Sequence, residues 1–127
     1  MSDTTTNGIR VQVTPKFLPE RSSAKDNEFW FAYFIRISNG GPETAQLVSR
    51  HWVITNSEGE EEEVHGEGVV GEKPLLPPGG SYDYNSFCHL KTPVGTMHGS
   101  YTMVTPSGDT FEAHIAPFTL ATPNALH

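Results

Sequence analysis

The chain has a single cysteine, Cys88, in 127 residues. No disulfide can form within it, and a reducing compartment is expected. No stretch approaches the roughly 20 apolar residues of a membrane-spanning helix. The opening MSDTTTNG is polar and lacks the apolar centre of a secretory signal. A cytoplasmic protein is the expectation. Basic residues are also scarce. Eight Lys and Arg stand against fifteen Asp and Glu, for a formal charge of −7. The eight are scattered, so nucleic acid and anionic membranes, which are held by clustered cations, are unsuitable partners.

Helical periodicity is missing as well. What is present is punctuation, with 12 Gly and 10 Pro spread along the chain, and repeated period-2 alternation between them. Ile9–Phe17 alternates Ile9, Val11 and Val13 with polar residues. Phe29–Ser38 puts Phe29, Phe31, Tyr33, Ile35 and Ile37 on one face and Trp30, Ala32 and Phe34 on the other. That strand is expected to be central and mostly buried on both sides. In Leu47–Thr55, alternation places Val48, Arg50, Trp52 and Ile54 together. Asn56-Ser57-Glu58-Gly59 is turn chemistry, leading to a hairpin partner at Glu60–His65. Further strands are expected at Ser81–Leu90, Thr96–Val104 and Thr110–Leu120, the last two joined at Ser107-Gly108.

About seven short antiparallel strands predict an all-β fold: a single β-sandwich, immunoglobulin-like or fibronectin type III-like. It forms one domain over 1–127, with its core at about 9–123 and fraying ends at 1–7 and 121–127.

Gly66-x-Gly68-x-x-Gly71 has the spacing of a dinucleotide fingerprint. That fingerprint needs a helix after the glycines to receive the phosphates. Pro74, Pro77 and Pro78 forbid one here. Two readings of the loop remain. Gly66, Gly68, Val69 and Gly71 could form a backbone nest for a small anion or pyrophosphate, aided by Lys73. Alternatively, the glycines serve tight loop geometry, and the acids Glu67 and Glu72 favour this second reading.

The stretch GEGVVGEKPLLPPG, with RHWVIT (Arg50–Thr55) before it and LKTPVGTMHGSYTM (Leu90–Met103) after it, resembles the bacterial ApaG family. FAYFIRISN (Phe31–Asn39) and PFTLATP (Pro117–Pro123) extend the likeness over nearly the whole chain. Family members often carry a Gly near Phe87 and an Asp near Asn56, which this chain lacks. The resemblance implies a small fibronectin-type sandwich with a GxGxxG loop and no catalytic residues. It also implies a link to cobalt and magnesium resistance and, from the use of the same domain in an F-box protein, a role in protein interaction.

Seven acids fall between Glu58 and Glu72. On a strand, Glu61, Glu63 and His65 would share a face and offer donors to a divalent ion. The plainer expectation is a solvated, edge-protecting surface. His51, opposite Trp52, and Arg50 are read as structural. Cys88 is read as a buried thiol, and one of Tyr82, Tyr84 and Tyr101 as a corner-fixing tyrosine. No nucleophile and base can be assembled. The expectation is therefore a non-enzymatic binding module without a cofactor. Its partner is an unidentified protein, and the chain itself is a monomer or weak homodimer. The alternatives are a binder of a small anion, nucleotide or pyrophosphate at Gly66–Gly71 and a divalent-metal binder on the acidic hairpin.

Overall fold

The computed structural model describes residues 1–123. The strands are β1 (Ser2–Thr6), β2 (Ile9–Phe17), β3 (Phe29–Asn39), β4 (Ala45–Asn56), β5 (Glu61–Glu67), β6 (Leu75–Leu76), β7 (Ser81–Leu90), β8 (Val94–Val104) and β9 (Thr110–Ala121). They form two antiparallel sheets, β1-β2-β3-β7 and β5-β4-β8-β9, with β6 also paired to β4. The sheets face each other as a sandwich. Among the described residues no helix is long and apolar enough to cross a membrane.

The core follows from alternation. Val11 and Val13 of β2 and Ile37 of β3 meet Leu47, Tyr101, Met103, Ala113 and Leu120 of the opposite sheet, all of them fully buried. Trp52 sits at the centre, its ring edge-on to Tyr101 and Phe118 and tilted against Tyr33. Such aromatic pairs add about 1 kcal/mol each beyond the area they bury. The Tyr101 hydroxyl is paired with that of Tyr84 across the sandwich.

Four expectations need correction. Among the described residues the strands number nine, since residues 2–6 do not fray but pair with β2 as β1. Asn7 and Gly8 both have positive φ, 47° and 83°, the backbone of a two-residue hairpin turn. Arg10 and Asp3 then clasp the hairpin from outside. The second added strand, β6, is short because the prolines flanking Leu75 and Leu76 allow only a brief pairing with β4. The third correction concerns β3, whose outer face is largely open: Phe34 is 47% exposed and Arg36 pairs with Asp83 in solvent. The last is Val48, which does not share a face with Arg50. A bulge between Leu47 and Ser49 makes Val48 an extra residue, so inward positions run Ala45, Leu47, then Arg50, Trp52, Ile54. Of the expected fraying end, residues 124–127 lie outside the described residues.

One side of the sandwich is closed where β1 meets β9, with the His114 amide donating to the Thr6 hydroxyl. The other side, between β5 and β7, is open.

Candidate functional site

Three features lie on or near the open side. The first is the glycine loop. Arg50 reaches across from β4 and donates to the carbonyls of Glu67 and Gly68 at 3.1 and 2.9 Å. Its guanidinium lies flat on Gly66, where a Cβ would come within 2.6 Å of it. Gly66 is therefore the space that Arg50 fills. Gly68 has φ +61°, and a Cβ there would sit 2.3 Å from the Glu72 carbonyl. Val69 and Glu72 exchange backbone hydrogen bonds at 2.8 and 3.0 Å around Val70 and Gly71. With φ of 48° and 81°, these two form a type I′ turn. Val69 is buried in the core, and Lys73 donates to Glu67 at 2.6 Å. That contact holds the Glu67 carboxyl below its usual range.

Val70 is unusual in this turn, since β-branched residues avoid positive φ. It is 65% exposed, so no packing offsets the strain. Val70→Asn is expected to stabilise the chain by about 1 kcal/mol and raise the melting temperature by roughly 4 °C in a thermal scan. A fall would show that the exposed Val70 side chain makes a contact that the turn conformation does not account for.

The second feature is the cleft between β5 and β7, about 360 Å³, lined by Tyr33, Arg50, Trp52, Val64, Ser86 and Cys88 among others. Burial, and secondarily the charge of Glu62, pushes the Cys88 thiol up to about 12. It is protonated at neutral pH and offers no thiolate. Towards the Asn56–Glu60 turn a second hollow of about 290 Å³ continues between Glu60, Glu61 and Glu62 on one side and His89 and Lys91 on the other.

The third feature lies on the outer face of the β4–β5 pair. The register sets His51 directly opposite His65. Their rings stack at 4.2 Å and 10°. Glu63, two residues before His65, brings a carboxylate oxygen 3.6 Å from His51 Nε2. Of the residues named from sequence for a metal, Glu63 and His65 come together here. Glu61 pairs with Thr55 instead, and the third donor is His51. Sequence reasoning placed His51 opposite Trp52, where it is, but did not pair it with His65. The signal was available in the hairpin. The Asn56 side chain accepts from the amides of Glu58 and Glu60, and Gly59 takes φ 83°. This closes a short loop that fixes the register.

Against known proteins, the family model "DUF525: ApaG domain" matches residues 19–105. The chain belongs to the ApaG family. An ApaG protein of Dechloromonas aromatica is 52% identical over 127 residues, covering the whole of both chains. One from Anaeromyxobacter dehalogenans is 51% identical with the same coverage. Among solved ApaG-like structures, a Bordetella pertussis protein described as ApaA superposes with a TM-score of 0.89 at 48% identity, covering 91% of this chain and 94% of that one. The loop of Gly66, Gly68 and Gly71 lies within the ApaG-matched span, as does the β4–β5 hairpin.

Proposed function

We propose that this ApaG chain works by binding and not by catalysis, taking an extended segment of a partner protein along the open edge of β7. The observation that carries the reading is that all ten residues of β7 pair with β3 on one side only. The free edge runs beside a cleft floored by Trp52 and Val64. Backbone groups of an unpaired edge supply affinity to an added strand, and a neighbouring cleft selects alternate side chains. The β7 edge lacks the usual protection, having neither proline nor lysine between Ser81 and Leu90.

Charge specifies the partner further. Glu60, Glu61 and Glu62 edge the continuing hollow, and the chain carries −7 overall. The fitting segment alternates apolar residues and ends in Lys or Arg beside those acids. On this reading the link to cobalt and magnesium resistance runs through a bound cytoplasmic partner. Anion binding at the glycine loop has less support. The amides of Gly68, Val69 and Glu72 are engaged within the fold, and Lys73 is held by Glu67.

The test is selection of short peptides on the purified chain, followed by amide exchange. The expected ligands are basic and extended, protect β7 amides, and lose binding when Glu60, Glu61 and Glu62 are all changed to Lys. Those residues are exposed, so the fold is kept. Ligands that protect another surface, or that ignore the charge reversal, would overturn the reading.

A further inference from the structure

We infer that His51, Glu63 and His65 form a binding site for one divalent transition-metal ion of the zinc, nickel and copper class. It lies on the outer face of the β4–β5 hairpin and is independent of the cleft and edge discussed above. Each side chain offers one ligand atom, and these atoms lie within 4.8 Å of one another. In a tetrahedral site with bonds of about 2.0–2.2 Å, donors stand roughly 3.3 Å apart. Small rotations of side chains on an open sheet face bring them there, because neither Glu63 nor His65 is held by core packing.

The second, independent observation is His51 Nε2. It is sealed from solvent and has no hydrogen-bond partner. The Glu63 carboxylate Oε1 is 3.6 Å away, beyond hydrogen-bond distance. The His51 side chain as a whole is 32% exposed, so it is this one nitrogen that is enclosed, and an enclosed polar atom without a partner is destabilising. An ion placed between it, Glu63 and His65 would satisfy it. The two rings stack within 10° of parallel, and one ligating nitrogen of each lies within 4.8 Å of the other, so modest side-chain turns bring them to one ion.

The donor set decides the ion. Two imidazoles and one carboxylate suit zinc, nickel and copper, whereas magnesium and calcium prefer all-oxygen shells. The surrounding field is favourable, with Glu61, Glu62 and Glu67 on the same strand. Arg50 borders the same shallow basin, but its guanidinium is turned to the Glu67 and Gly68 carbonyls. Thr102 and Glu112 line the same basin, and a three-ligand set of this kind leaves a tetrahedral ion its fourth position for water.

The test is titration of the untagged full chain with zinc chloride by calorimetry, with histidine side-chain NMR in parallel. The expected result is one ion per chain, with the signals of His51 and His65 moving and those of His98 and His114 unmoved. Glu63→Gln and His65→Gln, both at exposed positions, each weaken binding by about tenfold or more. His114→Gln leaves binding unchanged, and magnesium gives no signal. Equal binding by the Glu63 and His65 variants, or equal movement of all the histidines, would mean adventitious surface binding only and would overturn the site.

Discussion

Gly99→Ala is expected to unfold the chain at moderate temperature, lowering stability by about 4 kcal/mol. On β8, Gly99 pairs with Trp52 of β4. A Cβ there would lie 2.0 Å from the His51 carbonyl oxygen, 3.0 Å from its carbon and 3.1 Å from the Trp52 Cα. All three are backbone atoms, so no rotamer change makes room. The central pair of the five-stranded sheet would have to part beside the Trp52 ring, which packs on Tyr33, Tyr101 and Phe118. Against a total stability of about 5–15 kcal/mol, that loss is severe. A midpoint roughly 15 °C lower in a calorimetric scan is the expected reading. Gly40→Ala is the control, since its Cβ would meet only the Gly8 carbonyl at 3.7 Å. It should fall within about 0.5 kcal/mol of the parent. A Gly99→Ala melt as high as that of the control would show that the two strands do not approach as described.

The second large effect is alkaline unfolding. Burial pushes the phenols of Tyr33, Tyr84 and Tyr101 upward from 10.0 and the Cys88 thiol from 9.0 to about 12. For Tyr101 the neighbouring Tyr84 adds to the rise, whereas Tyr84 is partly relieved by its hydrogen bond to Tyr101. Each group is neutral when protonated, and the folded state holds that proton more tightly than the unfolded chain does. Their stabilisation is therefore complete below pH 9.0 and is lost as pH rises through Cys88's folded value near 12. Each group that ionises only on unfolding removes about 1.4 kcal/mol per pH unit. The thiol begins the loss, and the fully enclosed Tyr101 and the largely buried Tyr33 steepen it. Between pH 9.0 and 12, near-ultraviolet circular dichroism should collapse in one cooperative step, together with a burst of phenolate absorbance. Gradual phenol titration with the dichroism retained would show that these hydroxyls reach solvent in the folded state.

Much of this fold was legible because alternation is a direct record of burial. β2 is found at Ile9–Phe17 as expected, and the remaining long strands differ by a few residues at their ends. What escaped has physical causes. The polar threonines of β1 contribute little to the core, so the hairpin was announced only by Asn7-Gly8. At Val48, and again between Ile115 and Phe118 of β9, a bulge shifts which positions face inward. Alternation counted from one end then assigns the wrong face beyond it. The openness of β3's outer face was hidden because Trp30 and Phe34 are as apolar as core residues. Trp30 instead stacks on His89 and carries Arg21 above it.

The glycine spacing was legible as loop geometry, but not its reason. That Gly66 is the floor for Arg50 depends on two residues 16 positions apart being cross-strand partners. The His51–His65 pairing rests on a cross-strand register too, one carried by the Asn56–Gly59 loop. A hairpin's register turns on the length of its loop, and one residue more at Asn56–Gly59 would have put His65 on the other face.

The placement of the sheet edges also limits how large an assembly can grow. Fibres require two compatible ends on every subunit, one to receive and one to offer. β1 and β9 meet at the closed seam, and β5 carries Glu61, Glu62 and Glu63 along its rim. Among the described residues that leaves the β7 edge, the one proposed above to take a partner's strand. On the proposed reading, a molecule with a single adhesive margin caps whatever it joins, so strand exchange would stop after one step with no second site to continue from.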